Sequence, residues 1–392
     1  MPMRRKNTKK LRFEGLERRA LMAGDVTAAV VAGVLEITGD DAGNAIQIKQ
    51  SGADWKVQGL GTTVNGNNSA QTFTGVTGIA IDLAGGNDLI KVSKGTLSGD
   101  FDVSDSVGGR LTVDLSSLNA DNITINTPDA SDTITLNKCV ATTDIRINAF
   151  NTSDDGADVV TLLKTSAGGE IGLFTGGGAD VITMKNVSAG ETLNVGTFTT
   201  GESDADVVTI VKANSGDLFE VLTGDGRDTI TLSKVQAGTD LSVVAFEMAD
   251  VTAGDVVNIS KSSAVESFQV QIGDGADLLT IVDFTAGDDI LISTRESPSD
   301  ANDTLILTKL NAGNDITILT GEGTDTAILT KVVAANELNV NMEEGNFDRL
   351  VVARSRALAA IFEGGDNDGD TLVSSRNSFG TETATGFEFE IG

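Results

Sequence analysis

The sequence predicts an all-β chain wound as a right-handed parallel β-helix, a β-roll-like solenoid with coils of about 22–26 residues grouped in a double repeat of about 48. Three observations predict it. First, an aspartate returns at one place in a repeating phrase: Asp132, Asp158, Asp180, Asp206, Asp228, Asp255, Asp277, Asp303, Asp325, Asp348 and Asp370, with steps of 22 to 27 residues. Second, each is followed by a short apolar run of strand period, such as Thr229-Ile230-Thr231-Leu232. Third, the composition suits stacked strands: 45 Gly, only 3 Pro, 4% aromatic residues, and neither Tyr nor His.

The elements follow in chain order. Residues 1–25 are a basic leader, with 8 Lys and Arg against 3 acids. Residues 26–87 read as N-terminal coils or a cap, with Gly33-Val34-Leu35-Glu36-Ile37 and Ala45-Ile46-Gln47-Ile48 as strands. Asn44 stands 44 residues before Asp88, and Asp88 stands 44 before Asp132, which predicts two coils in each interval. Residues 51–80, with the single Trp55, are less regular. Residues 88–370 form the regular solenoid and residues 371–392 a C-terminal cap, where Phe379, Phe387 and Phe389 would cover the open end of the core.

Within a coil, side chains alternate across the strand. Counting from Asp228, Ile230 and Leu232 face inward, as do Val160 and Leu162, or Leu279 and Ile281, in other coils. Between them stands an outward threonine: Thr135, Thr161, Thr183, Thr209, Thr231 or Thr280. Near offset six comes a cation: Lys138, Lys164, Lys185, Lys212, Lys234, Lys261, Lys309, Lys331, Arg354 or Arg376. Six strand residues span roughly 20 Å, so these cations cannot pair with their own coil's aspartate, and they read as breaking up the exposed surface. An Ala-Gly turn (Ala189-Gly190, Ala237-Gly238) leads to a second strand such as Leu193-Asn194-Val195. Two strands per coil predict a flattened coil, and roughly fifteen layers at about 4.8 Å predict a rod near 70 Å long.

The return turns alternate. Short ones, such as Thr175-Gly176-Gly177-Gly178-Ala179-Asp180, are followed by longer acidic ones, such as Asp154-Asp155-Gly156-Ala157-Asp158. Gly224-Asp225-Gly226-Arg227-Asp228-Thr229-Ile230 and Gly273-Asp274-Gly275-Ala276-Asp277-Leu278-Leu279 resemble the calcium-binding nonapeptides of the repeats-in-toxin (hemolysin-type) family. That resemblance implies Ca2+ as a ligand, with Asp158, Asp180, Asp204, Asp206, Asp225, Asp228, Asp255, Asp274, Asp277, Asp303 and Asp325 as candidate ligands. A site would join Asp180 to Asp204 and Asp206, or Asp225 and Asp228 to a neighbouring long turn. The chain departs from the family in two ways. Thr175, Thr223, Ile272 or Thr320 stands where its first glycine would, and short turns recur only every second coil. The alternative is that each aspartate caps backbone N–H groups of its own turn.

The leader segment Arg12-Phe13-Glu14-Gly15-Leu16-Glu17-Arg18-Arg19-Ala20-Leu21-Met22-Ala23 resembles the planctomycete LEPR-XLL type of N-terminal region. Leu16, Glu17, Arg19 and Leu21 match, while Arg18 replaces the proline and Met22 the last leucine. The resemblance implies a surface or secreted protein, hence an extracellular or cell-envelope location.

Charge limits the partners. The net charge is −29 and the pI near 4.2. An acidic body repels nucleic acid and anionic membranes and attracts cations. No apolar run is long enough for a transmembrane helix. A single Cys139 excludes an internal disulfide framework. Without histidine, the usual general base and zinc ligand are missing. The sequence therefore reads as an exported structural or adhesive rod, non-enzymatic, with calcium and cell-surface or matrix components as candidate partners. The alternative is a β-helical polysaccharide lyase or hydrolase using residues such as Asp250, Asp255, Arg295 or Arg349.

Overall fold

The computed structural model describes residues 24–105, 108–127, 130–150, 156–198, 204–245, 254–273, 275–294, 301–343, 345, 347–365 and 369–391. These residues form 38 strands joined in one continuous hydrogen-bonded system, with no helix among them. From Asp88 onward every pairing is parallel and links one coil to the next. The result is a β-solenoid of stacked coils of about 22 residues. Thirteen coils stack from Asp88 onward and the Asn44 layer precedes them, close to the roughly fifteen layers expected from sequence, and at the spacing of paired strands they give a rod of roughly 65 Å.

The register keeps like residues in columns. Val160, Ile182, Val208 and Ile230 stack through successive pairings, as do Leu162, Met184, Ile210 and Leu232. All eight are fully buried. The alternation dictates this, because a shift of one residue would expose the whole row. The core is a continuous column of Ile, Leu and Val, completed by stacked Phe268 and Phe284, whose ring centroids lie 3.9 Å apart.

Each coil has three strand segments rather than two. The first strand, for example Val159–Leu163, ends at a corner, and beyond it a short segment such as Ser166–Ala167 pairs with its counterparts above and below. The third, such as Ile171–Phe174, follows the glycine turn. In other coils the first two run on as one strand bent at the corner, as in Val181–Ala189 and Thr304–Ala312. At the glycine turn the coils approach so closely that a Cβ on Gly216 would lie 1.9 Å from the carbonyl oxygen of Gly190.

The N-terminal part departs from the expected pair of coils. Asn44 stacks directly beneath Asp88, because Ala45 pairs with Leu89. The intervening chain makes an antiparallel excursion, in which Asp54–Gly59 folds back on Ala45–Ser51 and pairs with Gln71–Phe73, and then rejoins the parallel stack as Gly78–Asp82, between Val34–Thr38 and Phe101–Ser104. It carries Trp55 onto the core, with the ring against Gly95. The second 44-residue interval does hold two coils, but the middle one puts Leu111 where the aspartate would stand. At the other end Phe379 meets Phe362 edge-on, with centroids 5.8 Å apart, and Phe387 packs half-buried on the core. The side chain of Phe389 lies outside the described residues.

Candidate functional site: an aspartate column and a cationic corner

Two columns of charged residues run the length of the rod, and the geometry of each follows from the stacking. The first is the aspartate column. Asp88, Asp132, Asp158, Asp180, Asp206, Asp228, Asp255, Asp277, Asp303, Asp325, Asp348 and Asp370 are all at most 4% exposed. Each sits where a return turn enters the first strand, with its side chain pointing inward.

A buried carboxylate needs hydrogen bonds, and here one comes from the neighbouring coil. The Asp180 N–H donates to Asp206 Oδ1 at 2.8 Å, Asp206 N–H to Asp228 at 2.8 Å, Asp228 N–H to Asp255 at 2.7 Å and Asp255 N–H to Asp277 at 2.7 Å. The pattern continues through Asp303, Asp325, Asp348 and Asp370. The capping expected within a turn thus acts between coils. The ladder is closed at its end by Glu388, whose Oε2 accepts the Asp370 N–H at 2.7 Å. At its start the Asn44 N–H donates to Asp88 Oδ1. Leu111 interrupts it: with no carboxylate there, the Asp88 N–H turns to the Arg110 carbonyl.

The second carboxylate oxygen is served unevenly. Thr197 donates its hydroxyl to Asp206 Oδ2 at 2.5 Å. Buried Thr223, Thr294 and Thr320 stand beside Asp228, Asp303 and Asp325 and partly offset the effect of burial. Thr294 and Thr320 donate their hydroxyls to the carbonyls of Thr320 and Met342 in the next coil, at 3.1 and 3.2 Å, so Asp228, Asp303 and Asp325 leave Oδ2 without a hydrogen bond of good geometry, as do Asp88 and Asp348, where Leu83 or Met342 leads into the turn. Thr175, Thr223 and Thr320, which open the short turns, are fully buried. They face the carboxylate column inside the coil, a role the sequence pattern does not announce.

Burial raises the pKa of these groups, because a low-dielectric interior disfavours the anion. It moves Asp88, Asp228, Asp303 and Asp348 up to about 7, Asp255 and Asp325 to about 8, and Asp206 to about 9. Neighbouring carboxylates add to the rise: Asp228 and Asp180 act on Asp206, and Asp225 acts on both Asp228 and Asp255.

Of the predicted calcium ligands, nine (Asp158, Asp180, Asp206, Asp228, Asp255, Asp277, Asp303, Asp325 and the turn residue Asp225) are buried, while Asp204 is exposed on its turn. Asp274 lies outside the described residues, as do Asp250 and Arg295. Asp225, Asp228 and Asp255 share one electrostatic field. Among the described residues, no three acidic side chains converge as a ready cation site. Cys139 is fully buried, and burial pushes its thiol up to about 11.

The second column is the corner where the first strand bends. Every coil from Asp88 onward places one non-glycine residue there with positive φ. Ten of the thirteen are basic: Lys94, Lys138, Lys164, Lys212, Lys234, Lys261, Lys309, Lys331, Arg354 and Arg376, with φ between 53° and 59°. Ser117, Asn186 and Asp283 fill the other three. Lys185, expected in this row, is displaced by one residue, since Asn186 holds the corner of its coil. All ten basic residues are exposed, and none forms an ion pair among the described residues, where Arg146 bridges Asp144 and Glu170 instead.

Positive φ costs an L-residue about 1–2 kcal/mol, and Gly or Asn tolerates it best. Like charges one layer apart repel by about 1 kcal/mol even in water. Both costs recur in coil after coil. From Asp88 onward, taken with Lys91, Lys185, Arg349 and Arg356, the outward face of the first strand, its corner and the short segment beyond it holds fourteen of the twenty Lys and Arg beyond residue 25, against two acids, Asp114 and Asp283. The acids gather elsewhere, including a second ladder at the far turn, where Asp144, Asp240, Asp289 and Asp315 accept backbone N–H groups of the next coil. No helix among the described residues is long and apolar enough to cross a membrane. No known protein family, curated protein or solved structure matches the chain.

Proposed function

We propose that this chain is an exported structural or adhesive rod acting at or beyond the cell surface, with Ca2+ as a ligand of its acidic turns. The observation that carries the reading is the unbroken stack itself. From Asp88 to Asp370 the coils repeat the same strand and corner, and the conspicuous chemistry is repeated along the rod rather than gathered at one place. A repeated surface suits a polymeric or extended partner, and catalysis would need one unique constellation. Of the residues that would serve a lyase-like enzyme, Asp255 is buried in the ladder and holds the Asp228 N–H, where substrate cannot touch it. Export is supported by the leader's resemblance to the LEPR-XLL type, and calcium by the short turns' resemblance to toxin-repeat nonapeptides. The leader lies outside the described residues.

Two measurements test this. Protease treatment of intact cells should degrade the chain, and full protection would refute export. Millimolar calcium should raise the melting temperature of the purified protein, with chelator reversing the change; identical melting in both conditions would remove calcium from the proposal.

A further inference from the structure

We infer that the cationic corner is the binding surface for a linear anionic polysaccharide, a polyuronate whose carboxylates lie along the Lys and Arg column. This deepens the adhesive-rod reading and rests on it only for the setting in which the polymer is met. The argument starts from the backbone. A corner that demands positive φ would be filled most easily by Gly or Asn, as Asn186 shows in one coil. Instead the chain places lysine or arginine there in ten coils, stacking like charges on a strained backbone. Solubility does not require this, since charges of either sign would serve, and the rest of the molecule uses acids for it.

The geometry fits a straight polymer. The cations stand along one line in ten of the thirteen layers, with runs of two to four successive cationic layers, such as Lys212, Lys234 and Lys261, at about the 4.8 Å spacing of paired strands. A pyranose ring is of comparable length, so successive uronates meet successive coils. Lysine's flexible stem absorbs the residual mismatch. Small polar side chains flank the column: Ser233 and Ser260 before it, Gln236 and Ser263 after it, within reach of sugar hydroxyls. The outward positions of this face carry no Phe or Trp, so the aromatic platforms on which single-stranded nucleic acids stack are missing.

The test uses the full chain and titrates polygalacturonate, with neutral dextran and single-stranded DNA as comparisons, at low and high salt. The substitutions Lys212→Asn, Lys234→Asn and Lys261→Asn, combined in one variant, remove three adjacent charges while giving the corner a residue that accepts its φ. The expected result is polygalacturonate binding that weakens at least tenfold in the variant and fades with salt, with a melting temperature equal to or above wild type. A second variant neutralises Arg4, Arg5, Lys6, Lys9 and Lys10 of the leader, and it should bind as wild type does. The inference is overturned if the corner variant binds undiminished, if the leader variant loses binding, or if dextran or DNA binds as well as polygalacturonate. Salt-sensitive self-association abolished by the corner variant would also overturn it, by making a second copy the partner. Cleavage of the polymer would favour the lyase alternative instead. Failure of export leaves this inference standing, and failure of binding leaves export standing, so the two are separable.

Discussion

A carboxyl group sealed from water, with a backbone N–H as partner for one oxygen, keeps its proton far longer than one in solution. That is the situation of Asp206, Asp228, Asp255 and Asp325. Their unfolded counterparts ionise near pH 4. The folded chain therefore holds protons that the unfolded chain has released, and folding is favoured at low pH. The contribution is complete below about pH 4 and is lost as pH rises through 7 to 9. Melting temperature should fall by at least about 2 °C per pH unit between pH 5 and 9, followed by circular dichroism; a flat profile would refute the buried, protonated column. Asp255→Asn keeps an oxygen for the Asp228 N–H and cannot ionise. It should match wild type at about pH 3, where both states are protonated, and melt higher at pH 9. Asp255→Ala strands that N–H and should cost about 1–3 kcal/mol at either pH, read from urea unfolding. At this scale the aspartates were legible in the sequence, because a polar residue repeated at fixed spacing has no other signature. Their partners were not. Thr197 reaches Asp206 across a long turn, and neither its spacing nor its type sets it apart from the outward threonines.

The strands themselves could be read from parity alone, and Ile230, Leu232, Val160 and Leu162 all lie inside as the alternation requires. The corner could not. Positive φ at Lys164 or Lys234 contradicts the residue's own preference, so local chemistry points to a straight strand where the chain bends. The short middle segment was hidden as well, since Ser166–Ala167 is two residues long and looks like a turn. Leu111 was missed because an apolar residue in an apolar run leaves no mark. The glycine turn is rigidly specified by contrast. Gly216→Ala would press a methyl group into the Gly190 carbonyl and should destabilise by about 1–3 kcal/mol, measured as a shift in the urea midpoint.

Across the whole molecule, each coil touches mainly its neighbours, so stability adds along one dimension and the ends need covers. The N-terminal cover is the antiparallel excursion carrying Trp55, and the C-terminal one is the strand Ser378–Thr385 with Phe379. Removing residues 378–392 should bare Phe362 and the edge of Arg356–Glu363, and the shortened chain should assemble into larger particles by light scattering. A monodisperse truncated chain would show that the end needs no cover. The carboxylate ladder also has a direction. Every rung is supplied by the coil that comes later in the chain, from Asp88 through to Glu388. A polypeptide appearing amino end first can therefore never finish its newest layer alone. Each turn stays provisional until the succeeding one is delivered, and winding advances as a ratchet whose final click belongs to a glutamate.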